Sequence, residues 1–207
     1  MSEQQKAQID ATLRQAPLDL LGDVTALRTG FEEVMRHIPV GGDIRKSEIA
    51  VGGLGAVEVA VADLPMPSSA FLMSPYADLT LSGSTIVDKQ EFDPLFTGDA
   101  LRRRVPDYVG AADPADPYIS PIFGDLRGLP PMLIQVGSHE ILLSDAIRLA
   151  ARAAEADVAT TLEVTPGVPH VFQAYAALLD EGDAALNRAA EFLKTHFSVT
   201  SRGKTTP

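Results

Sequence analysis

The chain of 207 residues contains no cysteine and only four histidines. The absence of cysteine excludes disulfide bonds and thiolate metal sites, and it leaves the redox compartment undetermined. The histidines are far apart in the sequence and fit no metal-ligand spacing such as His-Glu-x-x-His. We therefore predict no structural metal and no cofactor. The four histidines are His37, His139, His170 and His196.

The chain also has few positively charged residues and no long apolar run. The chain has 17 Lys and Arg residues against 28 Asp and Glu residues, a formal net charge of −11. This balance disfavours nucleic acids and anionic membranes as partners. No apolar run approaches the length of a transmembrane helix, and the polar residues 1–10 lack the apolar region of a signal peptide. These absences predict a cytoplasmic protein without a transmembrane segment.

The composition that remains is typical of a globular domain. Hydrophobic residues make up 45% of the chain and charged residues 22%. A chain of this length has room for one domain with a substantial core. We predict that residues 1–207 form a single domain and that the polar residues 198–207 are a flexible tail.

The most informative stretch runs from Pro131 to His170. Met132–Val136 is a short apolar run that predicts a buried strand. From Ser144 the apolar residues follow a helical period, and Thr160–Val164 then predicts a second strand. A strand, a helix and a returning strand form a βαβ unit, so the two strands should be parallel. The predicted apolar face of the helix consists of Ala146, Ile147, Leu149, Ala150, Ala153 and Ala154.

Two titratable side chains follow the ends of these predicted strands. Glu140 comes after the first strand, and His170 comes after the second, beyond a Pro-Gly-Val-Pro loop. In open parallel sheets, chemistry collects beyond the carboxyl ends of the strands. An acidic residue followed by a histidine is also the order of the last two members of an α/β-hydrolase triad. Each residue also has a simpler explanation. Glu140 could be an acidic residue that stabilises the first turn of a helix, and His170 could be a surface residue.

Three segments of the chain resemble one enzyme family. They are SPYADLTLSG, ADPYISPIFGDLRGLPPMLIQVGSHEILLSDA and PGVPHVFQAY. These segments are similar to the C-terminal half of the hormone-sensitive-lipase-like esterases, a branch of the α/β-hydrolases. The resemblance runs from about Ala70 to Phe197. It places Glu140 at the family's triad acid and His170 at its triad base, with Asp145, a full turn into the helix, as a second candidate for the acid.

The resemblance implies a carboxylic ester hydrolase, an esterase or lipase that acts on a small apolar ester. In such an enzyme a serine attacks the ester, His170 would act as general base, and Glu140 would hold the imidazole in the correct tautomer. The family needs no cofactor for this chemistry. Neither the preferred ester nor the oligomeric state follows from the sequence, and a homo-oligomer is left open.

Two motifs that this chemistry requires do not occur in the chain. One is a His-Gly-Gly-Gly loop for the oxyanion hole, and the other is the Gly-x-Ser-x-Gly elbow that carries the nucleophile. The glycine cluster at residues 52–55 contains no serine. Ser74 lies nearest the expected site, but Pro75 favours an extended backbone there and disfavours a strained elbow. We therefore expect no nucleophile and an inactive or severely impaired esterase. The alternative function is a non-catalytic binding or interaction protein, or a truncated product of an esterase gene.

The family pattern also predicts the fold, which is an α/β class, truncated α/β-hydrolase fold. The family sheet has the order 1-2-4-3-5-6-7-8, and the missing motifs belong to its middle strands. We predict a mixed, mostly parallel sheet of about five strands in the order 1-2-6-7-8, flanked by helices. Strands 1 and 2 correspond to a hairpin pattern at residues 44–62, and strand 6 to Ala70–Met73. The resemblance assigns residues 1–40 and 82–112 to helical cap segments, and a plain amphipathic helix packed on the body is an equal alternative for the N-terminal region. The further predicted helices are Gln4–Gln15, Leu18–His37, Val171–Asp180 and Ala184–Phe197.

Overall fold

The computed structural model describes residues 2–15, 20–27, 29 and 66–200. The predicted hairpin at residues 44–62 lies outside the described residues, as does most of the predicted helix at residues 18–37. The proposed order 1-2-6-7-8 is therefore tested only for its last three strands.

The described part of the chain contains a sheet of three parallel strands. They are β1 (Ala70–Met73), β2 (Met132–Gly137) and β3 (Thr160–Thr165), in the order β1-β2-β3. Ala70 pairs with Met132, which in turn pairs with Thr160. These strands agree in place and direction with predicted strands 6, 7 and 8, so the α/β class and its parallel sheet are confirmed.

Five α-helices lie wholly within the described ranges, with two short 3-10 turns at Pro121–Phe123 and Phe172–Tyr175. The helices are α1 (Ser2–Gln15), α2 (Thr85–Asp88), α3 (Gly98–Val109), α4 (Leu143–Glu155) and α5 (Asp180–Thr200). Helix α3 begins where the Thr97 side chain accepts a hydrogen bond from the backbone amide of Ala100. It ends at Gly110, which has a φ of 59° and so takes a conformation that glycine adopts readily. None of the helices in these ranges combines the length and apolarity needed to cross a bilayer.

Helix α4 packs on the sheet through a narrower face than the sequence predicts. Ala146, Leu149, Ala150 and Ala153 are buried against the apolar core around β2. Ile147 is 43% exposed and Ala154 is also exposed, so the prediction for these two residues is wrong. They lie seven residues apart on one edge of the apolar stripe, and that edge turns away from the sheet.

The segment after β3 also differs from the prediction. A helix predicted at residues 171–180 is only a 3-10 turn at Phe172–Tyr175. Val171 has a left-handed backbone, with φ 48° and ψ 45°, so it is not part of a right-handed helix, and the 3-10 turn begins at the next residue. The final helix, α5, is confirmed, and it extends to Thr200, three residues into the segment predicted as a tail.

The two segments predicted as a cap contact each other beside the carboxyl end of β2. In α1, the Arg14 guanidinium donates hydrogen bonds to the backbone carbonyls of Glu91 and Phe92, at 3.2 and 3.0 Å. The 82–112 segment packs on the loop after β2 through a small apolar cluster. Its buried members are Ile86, Leu101, Ile141 and Leu142. Helix α1 is anchored separately, because its buried Ile9 packs in a cluster with Val168, Phe172, Leu179 and Ala185.

Candidate active site

The structure brings Glu140 and His170 into direct contact. Nδ1 of His170 lies 2.9 Å from Oε2 of Glu140. The Glu140 side chain is completely buried, and the His170 side chain is 17% exposed, so the imidazole lies above the carboxylate at the surface of the site. A carboxylate at Nδ1 favours the tautomer with its proton on Nδ1, which leaves Nε2 as the free basic nitrogen.

The second oxygen of the Glu140 carboxylate is held by two further donors. Oε1 accepts one hydrogen bond from the backbone amide of Gly137 and one from the hydroxyl of Ser74, each at 2.7 Å. A buried carboxylate needs such partners, because leaving its charge without hydrogen bonds is costly. The carboxylate is therefore fixed by the ends of both β1 and β2.

Gly137 also gives the loop that carries His170 room to approach β2. A Cβ atom at this position would lie 2.2 Å from the carbonyl oxygen of Val168 and 2.8 Å from that of Pro169. Both contacts are with backbone atoms, which cannot move aside without displacing the loop. Glycine at the end of β2 is thus a requirement of the close contact between Glu140 and His170.

Ser74 does not face the free nitrogen of His170. Its side chain is buried, and its hydroxyl donates to Glu140 and accepts a hydrogen bond from the backbone amide of Val171 at 3.0 Å. The expectation of an extended backbone is wrong, since Ser74 has a φ of 44°. The chain turns there directly after β1, where the Ser74 amide donates to the carbonyl of Gln135 at 2.7 Å. The Ser74 hydroxyl is thus bonded to the Glu140 carboxylate and to the backbone beside His170.

Asp145, the second candidate for the acid, lies elsewhere. Its Oδ2 accepts hydrogen bonds from the backbone amides of Ala77 and Asp78, each at 3.0 Å, and so fixes the loop after β1. Its Oδ1 is buried and has no hydrogen-bond partner among the described residues. Burial raises the pKa of Asp145 to about 6. Of the two candidates, the structure places Glu140 and not Asp145 beside His170.

Two neighbours of the site do not follow from the sequence analysis. Phe96 stands edge-on to the His170 ring, with 4.8 Å between ring centroids. The buried carboxylate of Asp93 accepts hydrogen bonds from the amides of Leu95, Phe96 and Ile141, at 2.8 to 2.9 Å. Burial raises the pKa of Asp93. The one local signal is the Asp-Pro pair at residues 93–94, because aspartate before proline is typical of a turn whose amides the side chain caps.

A cavity of about 550 Å³ opens beside Phe96 and Asp93. Its lining includes the apolar side chains Leu20, Leu21, Leu95 and Ala100. Within the described ranges, no three His, Asp or Glu side chains come close enough together to hold a metal ion. The lining includes neither Glu140 nor His170, and Phe96 connects this cavity with the His170 ring.

Comparisons with known proteins agree with this geometry. A family model described as "alpha/beta hydrolase fold" matches residues 48–174. An acetyl-hydrolase from Streptomyces hygroscopicus is 38% identical over 159 residues, which are 77% of this chain and 52% of that protein. An esterase from Acinetobacter venetianus is 43% identical over 128 residues, 61% of this chain and 42% of that protein. The chain thus spans about half the length of the curated relatives it matches.

Solved structures give the same result. The crystal structure of an esterase from the bacterial hormone-sensitive lipase family superposes with a TM-score of 0.67 and 36% identity, covering 68% of this chain and 48% of that chain. A hormone-sensitive lipase from a metagenome library gives a TM-score of 0.66 and 38% identity over the same shares. With the family model matching more than half of the chain, the chain belongs to the α/β-hydrolase fold family, in its hormone-sensitive-lipase-like branch.

Proposed function

We propose that Glu140 and His170 are the acid and base of a serine-type ester-hydrolase triad. The observation that carries this proposal is the 2.9 Å contact between the buried Glu140 carboxylate and Nδ1 of His170. The names of the relatives, esterase and acetyl-hydrolase, support carboxylic ester hydrolysis as the reaction class. The partly apolar lining of the cavity beside Phe96 supports a small apolar ester as the substrate.

Each group has a defined role in this chemistry. Nε2 of His170 takes the proton of the attacking serine hydroxyl, and Glu140 holds the tautomer and stabilises the imidazolium that forms. No described residue forms a hydrogen bond to Nε2, so that nitrogen is available to a nucleophile. The ring of Phe96 packs edge-on to the imidazole and restricts its rotation.

The same proposal implies that this chain has lost most or all of its esterase activity. The sequence contains neither a Gly-x-Ser-x-Gly elbow nor a His-Gly-Gly-Gly loop, and the hydroxyl of Ser74 is already bonded to Glu140. Loss of a single oxyanion-hole donor raises the barrier by about 3 to 4 kcal/mol, and loss of the nucleophile removes the covalent pathway altogether. The acid and base alone cannot replace these groups.

A non-catalytic binding or interaction protein is the second candidate. It is favoured by one specific observation, that a partly apolar cavity lies beside Phe96 in a chain whose sequence has no nucleophile elbow. In this case the cavity would take a small apolar ester or a similar ligand without turning it over. Turnover of an ester that depends on His170 would exclude this non-catalytic function.

The acid–base pair can be tested by replacing Glu140 with Gln. Oε1 of Glu140 accepts from Gly137 and Ser74, so the amide oxygen of Gln would take that place and its NH2 group would face Nδ1. An NH2 group only donates, so Nδ1 must become an acceptor and the proton must move to Nε2. We expect Nδ1–H in the original chain and Nε2–H in Glu140→Gln, measured by long-range ¹⁵N–¹H NMR with the ring neutral.

A matched control is Glu163→Gln. Glu163 lies on β3 and pairs with Arg188 at 2.9 Å, away from His170. This variant should leave the His170 tautomer unchanged. An original chain with the proton on Nε2, or a Glu140→Gln chain that keeps it on Nδ1, would contradict the assignment of Glu140 as the acid.

A further inference from the structure

We propose that Ser74 is a positioning residue that holds the acid and the base in register through one hydroxyl group. The inference rests on the proposed function, because such a support matters only if Glu140 and His170 act as a pair. Ser74 lies directly after β1, whereas Glu140 follows β2 and His170 follows β3. One side chain from the first strand thus reaches groups attached to the other two.

The hydroxyl of Ser74 donates one hydrogen bond and accepts another. Its proton is donated to Oε1 of Glu140 at 2.7 Å, and its oxygen accepts from the backbone amide of Val171 at 3.0 Å. Val171 is the residue that follows His170, so the same atom is bonded to the acid and to the backbone beside the base. A shift of either partner would break one of these two hydrogen bonds.

The backbone at both ends of this connection is in an uncommon conformation. Ser74 has a φ of 44°, and Val171 has a φ of 48° and a ψ of 45°. A left-handed backbone is a genuine outlier for a β-branched residue such as valine, and it persists only where the surrounding contacts hold it. The hydrogen bond from the Val171 amide to the Ser74 oxygen is one of those contacts, and it fixes the turn that presents His170.

The environment of Ser74 excludes a simple surface role. Its side chain is only 3% exposed, and both hydrogen bonds are side-chain contacts across 66 and 97 residues of sequence. No local turn could supply either of them. Removal of the hydroxyl would leave the Val171 amide without its acceptor and Oε1 of Glu140 with the Gly137 amide as its remaining partner.

The test uses the whole chain with Ser74→Ala and Ser74→Gly. Both variants remove the hydroxyl, but glycine adopts the positive φ without strain, so it keeps the test valid if the alanine variant folds poorly. We expect the Nδ1–H signal of His170 to broaden and its exchange with solvent to speed up at least tenfold in both variants. The measurement is ¹⁵N–¹H NMR of His170, with backbone amide spectra and circular dichroism as checks of folding.

Ser120→Ala is the matched control. Ser120 is fully buried, and its hydroxyl also donates once, to the Pro114 carbonyl, and accepts once, from the Leu79 amide. The Ser120→Ala variant should be less stable than the original chain, and its His170 Nδ1–H signal should be unchanged. If the original chain shows Nδ1–H and folded Ser74→Gly keeps it unaltered, or if Ser120→Ala alters it equally, the role of Ser74 is wrong. Absence of Nδ1–H in the original chain would instead overturn the proposed function.

Discussion

At the scale of single residues, Asp145 makes the stability of the chain depend on pH. Burial raises its pKa to about 6 from an ordinary value of 3.8, so the folded state binds this proton more tightly than the unfolded state. The resulting stabilisation is fully present below about pH 4 and is lost as the pH rises through 6. Between these limits the group lowers the free energy of unfolding by up to about 3 kcal/mol.

We therefore predict that Asp145→Asn makes the free energy of unfolding depend less on pH between pH 4 and pH 8. The Asn side chain does not titrate, and its oxygen can still accept from the amides of Ala77 and Asp78. Guanidinium unfolding between pH 4 and pH 8 should show a smaller decrease in stability for the variant than for the original chain. Asp88→Asn, at an exposed position, is the control and should keep the original slope. Equal slopes in Asp145→Asn and the original chain would rule this explanation out.

The sequence predicts Glu140 and His170 because both follow strand ends whose order is fixed by a βαβ unit. The supporting side chains are harder to find. Ser74 and Phe96 reach the site across 97 and 74 residues of sequence, and no local pattern encodes such contacts. The backbone of Ser74 is a case where tertiary hydrogen bonds override the preference of a residue before proline.

At the scale of the elements, the approach of the loop after β3 to the end of β2 decides the geometry of the site. We predict that Gly137→Ala destabilises the chain by about 1 to 3 kcal/mol and abolishes the Nδ1–H signal of His170. The added Cβ would meet the carbonyl of Val168 at 2.2 Å, so the loop would have to move away together with the imidazole. Chemical denaturation and ¹⁵N–¹H NMR measure the two effects.

Gly128→Ala is a control that introduces the backbone strain of alanine at a positive φ without a steric clash. Gly128 has a φ of 78°, and nothing lies within 4 Å of a Cβ built on it. This variant should lose about 1 to 2 kcal/mol from the left-handed backbone alone and keep the His170 signal. If Gly137→Ala retained the signal as well, the close approach would not be what holds the imidazole in place.

Periodicity predicts the elements of the core better than those at its margin. β1, β2, β3 and α4 have clear apolar patterns, and the structure confirms their positions. The helix predicted from Val171 does not begin there, because Val171 takes a left-handed conformation that is rare for a β-branched residue. This conformation is held by the hydrogen bond from the Val171 amide to the Ser74 hydroxyl, 97 residues away in the sequence, which a local pattern cannot contain.

At the scale of the whole molecule, we predict no His170-dependent hydrolysis of p-nitrophenyl acetate by the purified chain. Glu140 and His170 are in contact, but the sequence contains no nucleophile elbow and no oxyanion loop. His170→Ala should hydrolyse the ester at the same background rate as the original chain. His196→Ala is the control for unspecific attack by an imidazole. Turnover that is lost in His170→Ala and kept in His196→Ala would show an active esterase.

The fold class could be predicted because the family resemblance covers the last three strands, and the structure confirms their parallel order. The first two strands of the proposed order 1-2-6-7-8 lie outside the described residues, so that part remains a prediction. How a sheet compensates for missing central strands depends on pairing between distant segments, which apolar patterns along the chain do not determine.

Glu140 and His170 lie in one continuous stretch of the chain, from Met132 at the start of β2 to His170 in the loop after β3. A genetic event that removes or replaces DNA elsewhere therefore passes on this pair with its spacing intact. A chain without an attacking residue can therefore keep the contact between these two side chains. Such a chain is a starting point from which insertion of a single segment could produce hydrolysis.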